Sequence, residues 1–102
     1  MTREHHLLSL LRDHQPSDGK ESQFRDDMLA LLEAGERSFS RDHFTPGHFT
    51  ASAFVLSPED DSLLLIFHGK LSRWLQPGGH IEPADSNVIL AAMREVEEET
   101  GL

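Results

Sequence analysis

The chain has 102 residues, no cysteine, and 18 Asp and Glu against 9 Lys and Arg, a formal charge of −9 at pH 7. A chain of that length holds one domain at most, and the missing cysteine excludes a disulfide framework, a thiol nucleophile and Cys-ligated zinc. The acidic balance argues against a nucleic-acid groove built on phosphate neutralisation, though not against a phosphate substrate whose charge a bound cation offsets. No run approaches the roughly 18 apolar residues of a membrane span, and MTREHHLLSLLRDH lacks the apolar core and cleavage site of a signal peptide, so a soluble cytoplasmic protein with no membrane partner is expected.

In chain order, Leu7, Leu8, Leu10 and Leu11 form a helical apolar stripe over residues 3–14 that stops near Gln15-Pro16. Ser17 or Asp18 can cap a second helix over 19–34, with Phe24, Met28, Leu31 and Leu32 on one face and Gly35 just beyond its end. These two helices read as a hairpin that needs a further surface to cover. Residues 36–48 read as a loop, punctuated by Pro46-Gly47.

Residues 49–57 alternate Phe49, Ala51, Ala53 and Val55 on one side, a strand pattern. A turn at 58–61 and the run Ser62 to His68 predict a second, mostly buried strand pairing with the first as a hairpin. Trp74-Leu75-Gln76 is a short extended piece leading to Pro77-Gly78-Gly79, and residues 79–82 suit a further strand. Asp85 or Ser86 can cap a last helix over 87–100, stopped by Gly101.

On that last helix Glu95, Glu98 and Glu99 stand at i, i+3 and i+4, within about 100° of one another. Ile89, Ala92, Met93 and Val96 occupy the adjoining sector, so the aliphatic face is expected to dock on the sheet with the acids at its rim. Like charges at this spacing repel by a few tenths of a kcal/mol per pair. A hard divalent cation, Mg²⁺ or Mn²⁺, is the natural counter-charge because it takes oxygen ligands. Arg94 flanks Glu98 at i+4 and can orient that carboxylate while staying off the metal.

The segment from Gly79 to Leu102 resembles the Nudix box, Gly-x5-Glu-x7-Arg-Glu-U-x-Glu-Glu-x-Gly-U, where U is a bulky aliphatic residue. Gly79 matches the first glycine, and Arg94, Glu95, Val96, Glu98, Glu99, Gly101 and Leu102 match the second half in register. The first half departs: the early acid is Asp85, and the spacing to Arg94 is one residue longer, read as an insertion in the loop ahead of the helix. The resemblance covers residues 49–102 and implies an α/β (α+β) fold, an incomplete Nudix α/β/α sandwich over 46–102 preceded by a helical hairpin and loop over 1–45. It implies a metal-dependent pyrophosphohydrolase acting on a nucleoside diphosphate linked to another moiety, such as a sugar nucleotide or ADP-ribose. It further implies that the Gly79 carbonyl and Glu95, Glu98 and Glu99 bind Mg²⁺ or Mn²⁺, with Glu95 as ligand or base and Arg94 and Glu98 in the catalytic set. Trp74 can stack a nucleobase, and His80 and Glu82 can touch phosphate or metal; packing is the plainer role for each.

Nudix domains run to about 130 residues, within ordinary domain sizes, and this chain ends as the acidic helix closes. The expectation is an N-terminal part of a Nudix protein, inactive by itself, whose uncovered apolar faces pair with a second copy or with the missing C-terminal part. Two other readings stand beside the enzyme: a Nudix-fold binding or regulatory module without turnover, and a partner-binding protein that works through its N-terminal helices. An isopentenyl-diphosphate isomerase, another enzyme of this fold, would need a catalytic cysteine that the chain does not have.

Overall fold

A computed structural model describes residues 2–59 and 61–102. Helix α1, Arg3–Asp13, begins where the Thr2 hydroxyl accepts the His5 N–H, and α2, Gly19–Leu32, where the Asp18 carboxylate accepts the Glu21 N–H at 2.7 Å. Each cap satisfies a first-turn donor that has no partner within its helix. The two helices pack as the expected hairpin. Of the face expected for α2, Leu32 is buried and Leu31 packs on the core, but Leu29 turns inward with them while Phe24 is 54% exposed and Met28 38%. At about 100° per residue, the stripe Arg25–Leu29–Leu32 lies one residue round the helix from Phe24 and Met28.

The expected loop after α2 contains a 3-10 helix, Gly35–Phe39, entered through Gly35 at φ +65°. It drives Ser38 and Phe39 into the interior, where both are almost fully buried. The Ser38 carbonyl accepts the Phe49 N–H at 2.8 Å, and the Phe39 and Phe49 rings meet at 5.6 Å. Phe39 therefore joins the helical hairpin to the sheet, in one core that includes Leu7, Leu11, Leu32, Ala51, Ile81 and Ala91.

Strand β1, Thr50–Ser52, keeps the predicted alternation, with Phe49 and Ala51 buried and Thr50 and Ser52 exposed. Its partner is β4, Gly78–His80, in antiparallel register with Ala51 opposite Gly79 and Ser52 opposite Gly78. The predicted hairpin between 49–57 and 62–68 is present only as a bridge between Leu56 and Leu63. Strand β2, Ile66–His68, pairs instead with β3, Arg73–Leu75. The second strand is also not buried: Leu63, Leu64, Leu65 and Phe67 are exposed, since these two short strands form a separate two-stranded ribbon.

Helix α3, Val88–Thr100, lies across β1 and β4. Its cap is Asn87, whose side-chain oxygen accepts the Leu90 N–H at 2.9 Å, rather than Asp85 or Ser86. The expected docking face is rotated. Ala91 is fully buried with Glu95 one turn on, and Val88 and Ala92 pack beside them, whereas Ile89 and Met93 face outward. Alanine at the contact brings the helix close to the sheet, and that approach carries the Glu95 carboxylate inward. Gly101, at φ +78°, ends the helix as predicted, its N–H reaching the Glu97 carbonyl at 2.9 Å. The result is a mixed α/β fold with an N-terminal helical hairpin.

Candidate active site

The docking of α3 on β4 brings the acidic helix against the glycine pair. A Cβ placed on Gly79 would lie 2.9 Å from Glu95 Oε1, and one on Gly78 would lie 2.4 Å from the Ser52 Cβ and 2.7 Å from the Ala51 carbonyl oxygen. A side chain at Gly78 would strike the neighbouring strand and one at Gly79 would displace the Glu95 carboxylate, so the two glycines let strand, strand and helix close on one another. Glu99, one turn beyond Glu95, accepts the Gly78 N–H at 3.3 Å through Oε2. Glu95 and Glu99 thus converge on the start of β4.

Arg94 organises the other side of the helix. Its Nε donates to Asp85 Oδ1 and its Nη2 to Asp85 Oδ2, both at 2.9 Å, while Nη2 also reaches the His80 carbonyl at 3.0 Å. Nη1 donates to Glu95 Oε1 at 3.1 Å and Glu98 Oε2 at 3.0 Å and stands 3.4 Å from Glu82 Oε1. Part of the counter-charge that the clustered acids require is therefore Arg94 itself. Glu99 is the acid of the three with no Arg94 contact among the described residues.

Asp85 is neither the expected cap nor a group facing the pocket. It is buried, and it closes its own loop by accepting the Glu82 N–H at 2.8 Å while its N–H donates to the Glu82 carbonyl at 3.0 Å. That turn aims the carboxylate at Arg94. The Arg94 hydrogen bonds hold the Asp85 carboxyl below the usual carboxylate range against the opposing effect of burial, and Asp85 in turn raises the Arg94 guanidinium. Arg3 braces the same loop from the N-terminal helix, donating to the carbonyls of Glu82 at 2.9 Å and Asp85 at 3.1 Å, pairing with Glu36 and lying 4.7 Å above the Phe39 ring. Nothing in a lone Arg at position 3 signals that role. Only the fold brings it to Asp85.

A cavity of about 880 Å³ opens beside the glycine pair, bordered by Gly78, Gly79, His80, Glu82, Glu95 and Glu99 on one side and by the segment from Glu36 to Asp42 on the other. Of the residues singled out in the sequence, Gly79, His80, Glu82, Glu95 and Glu99 are thus brought together. Glu98 stands just outside on Arg94, its side chain 55% exposed. Trp74 does not join them. It sits on β3 with its ring edge-on to Phe67 at 5.3 Å, outside this cavity, so stacking of a base there on the same ligand has no support in the geometry.

A sequence profile of the NUDIX domain matches residues 46–102, more than half of the chain, with the glycine pair, Arg94 and the three glutamates all inside the match. The chain belongs to the Nudix family. A comparison with curated proteins found no sequence match. Nudix proteins are in general hydrolases of pyrophosphate bonds that use divalent metals such as Mg²⁺ or Mn²⁺ and take nucleotide-type substrates. The donor set here suits such an ion: Glu95 and Glu99 offer hard carboxylate oxygens beside the glycine pair of β4, and Mg²⁺ binds through one or two carboxylates while keeping several waters. Among the described residues no group of three or more His, Asp or Glu side chains converges at metal-binding spacing. No helix among the described residues is long and apolar enough to cross a membrane.

Proposed function

We propose that this Nudix protein is a metal-dependent pyrophosphohydrolase of a nucleoside diphosphate linked to another moiety, of the sugar-nucleotide or ADP-ribose kind. The observation that carries the reading is the meeting of Glu95 and Glu99 at the Gly78-Gly79 pair of β4 on the wall of a cavity large enough for such a ligand. A diphosphate linkage presents negative oxygens that repel hydroxide, so hydrolysis needs charge neutralisation, a base and fixed geometry. Bound Mg²⁺ or Mn²⁺ would supply the neutralisation and favour ionisation of water.

In this reading residues 46–102 carry the chemistry and residues 1–45 shape the cavity. Glu95, Glu98, Glu99 and the Gly79 carbonyl are the metal-binding groups, and Glu95, buried against Gly79, also serves as a candidate base. Arg94 holds Glu95 and Glu98 in place through Nη1, a positioning role. His80 and Glu82 border the substrate. The exposed apolar side chains of the β2–β3 ribbon and of the outer side of α3 support a second polypeptide surface over them, another copy or a further segment.

The test is release of phosphate-terminated products from ADP-ribose, sugar nucleotides and nucleoside triphosphates with Mn²⁺ or Mg²⁺, comparing wild type with Glu98→Gln and Glu95→Gln. Turnover lost by orders of magnitude in folded variants is the expected result. Because the 102-residue chain is expected to be inactive by itself, the turnover comparison is made in a full-length version, where metal-dependent nucleotide binding with no turnover would replace the enzyme by a Nudix-fold binding module.

A further inference from the structure

Besides the glutamates, the cavity border carries arginines, interleaved with Glu36 and Asp42 along the segment after α2. Three of the chain's nine Lys and Arg residues, Arg3, Arg37 and Arg41, border this one cavity in a protein of charge −9. Arg3 is already occupied by Glu36, by two loop carbonyls and by the Phe39 ring. Arg37 and Arg41 are not: both are exposed, and among the described residues neither has a carboxylate oxygen within ion-pair distance.

The segment that carries them is firmly seated. Phe39 and Ser38 between them are almost fully buried, the Ser38 hydroxyl donates to the Gly35 carbonyl at 2.7 Å, and the Ser40 N–H donates to the Arg37 carbonyl at 3.0 Å. Two arginines on a seated backbone therefore border the same cavity as the proposed metal site. A guanidinium binds phosphate oxygens through paired N–H donors and stays charged at every working pH. A diphosphate has more anionic oxygens than two carboxylate-held cations on one wall can face, which leaves oxygens on the opposite side to be met.

We propose that Arg37 and Arg41 form a second, metal-independent phosphate subsite, so that a substrate phosphate is held between the arginines of the N-terminal segment and the glutamates of α3. The proposal rests on the pyrophosphohydrolase reading for its catalytic meaning, but its binding test does not. The probe is inorganic pyrophosphate, titrated calorimetrically into the 102-residue chain in metal-stripped buffer. Wild type should bind it, Arg37→Ala/Arg41→Ala should lose at least tenfold in affinity, Arg37→Lys/Arg41→Lys should fall between, and Arg12→Ala, an arginine remote from this cavity, should match wild type.

Circular dichroism on each variant separates loss of a subsite from loss of fold, and the lysine pair remains decisive if the alanine pair is unstable. Undiminished pyrophosphate binding in the arginine variants, or no metal-free binding by wild type, overturns the subsite. Arginine-dependent pyrophosphate binding in a protein that hydrolyses no diphosphate would instead keep the subsite and reject the enzyme.

Discussion

Asp85 grips Arg94 with both carboxylate oxygens, Oδ1 on Nε and Oδ2 on Nη2, each at 2.9 Å. Asp85 is buried and Arg94 only 20% exposed, so removing the acid leaves a mostly enclosed guanidinium short of its main partner. Asp85→Ala should cost roughly 3 kcal/mol, a large part of a small domain's 5–15 or so. Because the Asp85 carboxyl lies below its ordinary value in the folded chain, the unfolded chain takes up that proton first as pH falls. Its stabilisation is complete above the unfolded value near 4 and is lost as pH falls through the folded one. Urea unfolding of wild type and Asp85→Asn from pH 7 down to about 3 checks this. The gap between them should narrow in acid, and a gap that widened would reverse the sign.

Much of the site was legible because its residues are contiguous on one helix. Arg94, Glu95, Glu98, Glu99 and the stop at Gly101 follow from spacing, and the glycine pair from its position ahead of them. What failed to show was contact across the chain. Ile89 and Met93 have the composition of a docking face, but the helix docks through Ala91 because only a small residue allows the approach that the glycines on β4 complete. Asp85 looks like a cap until its loop folds back on Glu82. Phe39, in a segment of polar residues without apolar periodicity, gives no sign that it anchors the core, nor that it seats Arg37 and Arg41 on the cavity.

The two glycines should respond differently to alanine. At Gly78 the added Cβ meets the Ser52 Cβ and the Ala51 carbonyl, which are fixed by pairing of β1 with β4, so Gly78→Ala should weaken the fold markedly. At Gly79 the nearest atoms it meets are those of the Glu95 carboxylate, the end of a flexible side chain. Gly79→Ala should therefore unfold near the wild-type urea midpoint while losing metal affinity, since Glu95 must move away. Equal destabilisation by the two substitutions would show that Glu95 has no freedom to yield.

Metal binding should depend on Glu99 more than on Glu98, because Arg94 holds Glu98 and leaves Glu99 to the cavity. Loss of a direct ligand should cost no less than the roughly 10–100-fold lost with outer partners of a metal site. Titration with Mn²⁺, followed by the paramagnetic relaxation of water protons, should give that loss in Glu99→Gln, a smaller one in Glu98→Gln, and the largest in the double variant. Wild-type affinity in the double variant would remove these residues from the metal site.

Phe67 and Trp74 pack edge to face on the β2–β3 ribbon, yet they remain 53% and 65% exposed, with Leu63 and Leu65 beside them equally open. Two-stranded ribbons are marginal alone, and uncovered apolar area forgoes about 25 cal/mol per Å² of stabilisation. A second surface over this ribbon is the expected remedy, and in solutions of the 102-residue chain the available surface is another copy. Sedimentation equilibrium should show association that rises with concentration and falls in Leu65→Ser/Phe67→Ser. A well-folded species of 11.5 kDa at every concentration would mean that the ribbon is stable uncovered and that no partner is needed there.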